Sequence, residues 1–109
     1  MKQITIIPMN NKNIAIQISK HANERLHKRM ESFNLTEWSL VGNIIMLGTK
    51  LIDYAEAHED FAIIDNNLKF SVICEAIKIS DKDVQIRIIT IIDKANIWVK
   101  EDTMIARIN

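Results

Sequence analysis

Apolar residues recur along this chain with two different periods: two at either end and about 3.6 through the second quarter. Gln3 to Pro8 is a β-branched run, and Asn10 to Asn13 is a cluster of turn formers. Ile14, Ile16 and Ile18 then alternate with Ala15 and Gln17, so the opening segment predicts a hairpin. Ser19 stands where a helix N-cap belongs. From Lys20 to Phe33 there is no Gly or Pro, and Ala22, Leu26, Met30 and Phe33 form one apolar stripe. Asn34-Leu35-Thr36 interrupts that stripe, and Thr36 predicts a second N-cap. The helix it opens carries Trp38, Leu40, Val41, Ile44, Ile45 and Leu47, and Gly48 is placed to end it. Thr49 to Ala57 fits a further helix or a strand equally well.

Beyond residue 60 the period is two. Phe61 to Asp65 is a short apolar strand, followed by Asn66-Asn67 as a two-residue turn of the I′ kind. Leu68 to Ile79 predicts a long strand, and Asp81-Lys82-Asp83 a turn. Val84 to Ile92 becomes apolar on both faces, which predicts a central strand covered by helices on one side. Ile97 to Lys100 and Met104 to Ile108 are candidate edge strands. The sum is an α+β domain spanning residues 1–109. It has an N-terminal hairpin or strand, and two helices on one face of a mostly antiparallel sheet of about four strands.

Composition narrows the class without naming an activity. The 109 residues hold 14 Lys+Arg and 14 Asp+Glu, and 48% are hydrophobic, which excludes a disordered chain. Two Gly and one Pro exclude collagen, flexible linkers and a turn-dense β-sandwich. A single cysteine, Cys74, forbids an internal disulfide and a Cys-built zinc site. Neither the N-terminal run nor the apolar runs Leu40 to Leu47 and Ile86 to Ile92 has the length of a signal core or a membrane span. The expected compartment is the cytoplasm, with no membrane partner. About one residue in five is Ile, a bias of AT-rich genomes such as those of low-GC bacteria and their phages.

The net charge of zero hides two patches. Residues 20–29 hold Lys20, Arg25, Lys28 and Arg29 against Glu24, whereas residues 53–60 hold Asp53, Glu56, Glu59 and Asp60 with no cation. His21, Arg25 and Arg29 are spaced i, i+4, i+8 and span about 80° of a helix surface, beside the apolar stripe. A guanidinium offers phosphate a planar fork, and an imidazole exchanges protons near neutral pH. The row suits a phosphate-bearing ligand. It equally suits a solvated helix flank whose Arg stems cover the core edge.

The run Ser19-Lys20-His21-Ala22 with Arg25 and Arg29, then Leu35-Thr36-Glu37 opening a second helix, resembles small members of the barnase–EndoU–colicin–RelE-like nuclease superfamily. The similar members carry a His-Ala-x-x-Arg-x-x-x-Arg helix. A late strand in them reads like Arg87-Ile88-Ile89-Thr90-Ile91-Ile92 here. The resemblance covers roughly residues 16 to 108. It implies an active site of His21, Arg25, Arg29 and Thr90, and metal-independent RNA cleavage that leaves a cyclic phosphate. His21 would be an acid or base, Arg25 and Arg29 would stabilise the phosphorane, and Thr90 would donate to a phosphate oxygen. No cofactor and no metal are implied. A cognate antitoxin or immunity protein is the implied partner.

The chain departs from that pattern in charge, since such toxins are usually basic. It also lacks an evident second acid or base. His27 falls on another helix face, His58 lies in the acidic stretch, and Lys100 and Arg107 match no motif. His21, His58 and Cys74 have no metal-ligand spacing, the acidic stretch lacks the spacing of a calcium loop, and no Gly-rich phosphate loop exists. The rival to catalysis is a non-enzymatic binding protein on the same fold: an antitoxin, an immunity protein or a phage-encoded inhibitor. A third reading is a homo-oligomer that pairs an Ile-rich sheet edge.

Overall fold

The computed structural model describes residues 1–29 and 34–108, with the Arg29 side chain excepted. Met30 and Phe33, the far end of the expected apolar stripe, lie outside the described residues. The chain opens with β1 (Lys2–Met9) and β2 (Lys12–Ile18). Asn10 and Asn11 make the turn between them, with φ of 50° and 63°. Asn tolerates this left-handed geometry because its short amide bonds the local backbone. Three helices follow: α1 (Lys20–Arg29), α2 (Glu37–Ile45) and α3 (Lys50–Ala57). The second half is β3 (Asp60–Asp65), β4 (Phe70–Lys78), β5 (Asp83–Ile92) and β6 (Met104–Ile108).

These strands form one six-stranded sheet in the order β1-β2-β5-β4-β3-β6. β2 pairs with β5 in parallel, as does β3 with β6, and the other three pairings are antiparallel. Among the described residues the α+β architecture therefore rests on a mixed sheet of six strands and three helices. This corrects the expectation of two helices on a mostly antiparallel sheet of about four strands. The difference arises where the chain leaves adjacency. The three helices carry it from β2 across to β3, which leaves β2 free to receive β5 as a parallel neighbour. Residues 93–103 then carry it across the other face to β6, beyond β3. Alternation along a strand says which face is buried but does not say which strand lies alongside.

Helix ends follow local chemistry. The Ser19 hydroxyl accepts from the backbone N–H of Ala22 at 2.9 Å, capping α1. Thr36 caps α2 in a reciprocal box with Ser39. The chain then turns through Gly48 at φ 58°, a conformation open to glycine, and enters α3 rather than a strand. α3 ends at His58, which adopts the left-handed conformation. Between β3 and β4, the Asp65 carboxylate accepts from the N–H groups of Asn67 and Leu68. This builds a four-residue turn ending on Lys69 at φ 62°, in place of the expected two-residue turn.

The core lies between the helices and one face of the sheet. Ile14, Ile16 and Ile18 of β2, Val84, Ile86 and Ile88 of β5, and Phe70, Val72 and Cys74 of β4 are all buried there. Ala22, Leu26, Leu40, Ile44 and Leu51 come down from the helices. Tyr54 of α3 stacks on Phe61 of β3 with ring centroids 5.3 Å apart. On the opposite face, the crossover is held by the Ser71 hydroxyl donating to the Lys94 carbonyl at 2.6 Å. Among the described residues no helix is long and apolar enough to cross a membrane.

Candidate functional site

The candidate site is built where β2 ends and β5 continues. The β2–β5 ladder stops at the pair Ile18 and Ile88. Past it, the outer edge of β5 would expose backbone carbonyls with no strand to satisfy them. Helix α1 takes over that edge. The Ser19 N–H donates to the Ile88 carbonyl at 2.9 Å, and its hydroxyl donates to the Ile89 carbonyl at 2.7 Å. Six residues further on, Arg25 Nη1 donates to the Ile91 carbonyl at 3.3 Å. A short polar residue and a long cation, six positions apart, thus finish a sheet edge that a strand would otherwise finish.

Arg25 also donates from Nε to His21 Nε2 at 3.0 Å. The two residues are i, i+4 neighbours, so the helix itself brings them together. An imidazole nitrogen that accepts carries no proton, which assigns the proton to Nδ1 in this arrangement. His21 is exposed and Arg25 half-buried. The result is an imidazole beside a guanidinium, reachable by solvent, on the rim of β5. The side chain of Arg29, the third member of the row, lies outside the described residues.

Thr90 is close in sequence to the Ile91 carbonyl but faces away. It pairs with Ile73, and alternation with the buried Ile91 turns it to the face opposite the helices. A bulge between Ile73 and Cys74, where the ladder passes from Thr90 to Ile88, sets this local geometry. The structure therefore brings His21 and Arg25 together and leaves Thr90 on the other side of the strand. Five hollows in the surface of the described residues have none of His21, Arg25 and Thr90 in their linings.

The remaining candidates fall elsewhere. His27 lines a hollow with Lys2 and Trp38. His58 lines another with Asp60 and Lys100, whose charged atoms lie 3.8 Å apart. In the acidic stretch, Glu56 is bound by Lys78 at 3.1 Å, and the bond and charge of Glu56 raise the Lys78 pKa. Cys74 is buried on the helix-facing side, and desolvation pushes its thiol far above the usual range. A thiol held neutral is no nucleophile. Among the described residues, no group of three or more His, Cys, Asp or Glu could hold a metal ion.

Sequence reasoning passed over one concavity of the described residues. A hollow of about 720 Å³ lies between the β3–β4 turn, the crossover and β6, with Lys69, Lys94 and Arg107 in its lining. These cations are 38 residues apart at the extremes, in three segments with no shared period. A search for motifs within one segment could not assemble them.

Compared with known proteins, the chain matches no family model, no curated protein and no solved structure at a significant level.

Proposed function

We propose that this protein is a small metal-independent ribonuclease of the bacterial toxin type, acting in the cytoplasm, with His21 and Arg25 as its reactive pair. The observation that carries this reading is the 3.0 Å hydrogen bond between an exposed imidazole and a guanidinium that is held against the strand edge. An RNA phosphate drawn to Arg25 would take over its Nε–H donor and free His21 Nε2. That nitrogen could then remove the proton of the ribose 2′-OH. The 2′ oxygen attacks phosphorus, the bond to the 5′ oxygen breaks, and a 2′,3′-cyclic phosphate is left. The departing oxygen takes a proton from water. Arg25 would stabilise the charge that develops on the phosphorane. The requirement for a 2′-OH restricts the substrate to RNA.

Total RNA incubated with the protein in EDTA should yield fragments with cyclic-phosphate ends. His21→Ala should abolish them. Arg25→Ala should lower the rate by about 10²–10³, the usual cost of losing one donor to a developing oxyanion. Thermal melts of both variants separate loss of chemistry from loss of fold.

A second reading is favoured by a specific feature. Arg25 Nη1 is committed to the Ile91 carbonyl and His21 lines none of the five hollows, as in a protein whose helix row serves only to finish the sheet. On that reading the chain is a non-enzymatic binder, such as an antitoxin, an immunity protein or a phage-encoded inhibitor. RNA left intact by a hundredfold excess of folded protein would remove the catalytic reading and leave this one.

A further inference from the structure

We propose that the hollow between the β3–β4 turn, the crossover and β6 binds a single-stranded nucleic-acid segment through its phosphates. Three cations line it: Lys69 at the end of the turn, Lys94 in the crossover and Arg107 on β6. Asp93 is the single acid in that lining, so the lining residues carry a net charge of +2, three positive against one negative. The ion pairs of the described residues use Lys2, Lys78, Arg87 and Lys100, and none of the three cations of the hollow. On a chain of zero net charge, three uncommitted cations around one concavity form a local field of one sign.

The site is held in place by the backbone. The Lys69 N–H donates to the Asp65 carbonyl at 2.9 Å, and the Lys94 carbonyl accepts from Ser71 at 2.6 Å. Arg107 is set by the β3–β6 ladder opposite Ile64, whose side chain forms apolar floor. Three cations around one hollow suit a ligand that presents several negative charges. A phosphodiester chain carries one at every residue. The amides of Asn66 and Asn96 also line the hollow, and each offers a donor and an acceptor to a base edge. The lining includes no aromatic ring, so a lone mononucleotide would find nothing to stack on.

Binding in this hollow can be read separately from catalysis at His21 with a probe that cannot be cleaved. A fluorescent 2′-O-methyl oligouridylate has no free 2′-OH, and its binding to the full chain can be followed by anisotropy. Three phosphate contacts on a single strand predict a log–log salt slope of about −2, so affinity should fall about 20-fold between 50 and 200 mM salt. Lys94→Ala with Arg107→Ala should lower affinity at 50 mM salt and flatten the slope to about −0.7, a loss of only about threefold over the same range. Arg107→Lys should keep the slope. If the double variant does not fold, Lys69→Gln and Lys94→Gln singly should each flatten the slope by about 0.7. No binding, or binding indifferent to these substitutions, overturns the proposal. Equal affinity for polyglutamate at matched salt overturns the assignment to nucleic acid and makes the hollow a site for acidic peptides.

Discussion

Ser19 is the residue on which the helix and the sheet edge both depend. Its hydroxyl accepts from Ala22 N–H and donates to the Ile89 carbonyl, so one atom satisfies a helix donor and a strand acceptor. Ser19→Ala should cost about 1–2 kcal/mol in urea unfolding, more than a cap alone, because a carbonyl next to the core loses its partner as well. Ser19→Thr should restore most of that loss. Cys74 makes a different demand. Its thiol stays neutral in the core, whereas the unfolded thiol ionises once the pH passes its ordinary value. A folded-state pKa raised in this way gives stability that is complete below the unfolded pKa and is lost as pH rises above it. The decline should approach about 1.4 kcal/mol per pH unit, and Cys74→Ala should remove this component while lowering stability at neutral pH. Native protein should be inert to thiol reagents and react only on unfolding.

At the scale of elements, the ends are decided by single conformations. α3 stops because His58 turns left-handed, at φ 53° and ψ 49°, and sends its N–H back to the Ala55 carbonyl. A side chain with a Cβ is strained there, so His58→Gly should raise stability by about 1 kcal/mol, read as a higher urea midpoint at unchanged slope. Gly48 is the converse case at φ 58°. A Cβ added there would meet open space, so Gly48→Ala should destabilise through backbone strain alone, by about 1 kcal/mol.

Across the whole molecule, stability should be graded by position in the sheet. β5 and β4 lie inside, paired on both sides, with the helical layer over one face. β1 and β6 are the two edges, and Ile6, Met104 and Ile105 are exposed along them. Hydrogen exchange should be slowest for residues 83–88 and 70–77 and fastest for β1 and β6. Equal protection of β6 and β5 in a dilute monomer would contradict this grading. Concentration-dependent protection of β6 would instead signal pairing between copies at that edge.

Much of the local structure was legible because it depends on neighbours within a few residues. The alternation of Ile14, Ile16 and Ile18, the caps Ser19 and Thr36, and the i, i+4 spacing that joins His21 to Arg25 are written in the sequence itself. So was the apolar density of β5, which follows from a strand with neighbours on both sides and helices above. The order of strands was not, because β2 meets β5 across more than sixty residues, and an alternating strand accepts a parallel or an antiparallel partner on the same apolar face. Only the tertiary structure turned Thr90 away from His21, set Arg25 on a strand carbonyl, and gathered Lys69, Lys94 and Arg107 around one hollow. Periodicity fixes which face of an element is buried; which elements then touch depends on how the whole core closes.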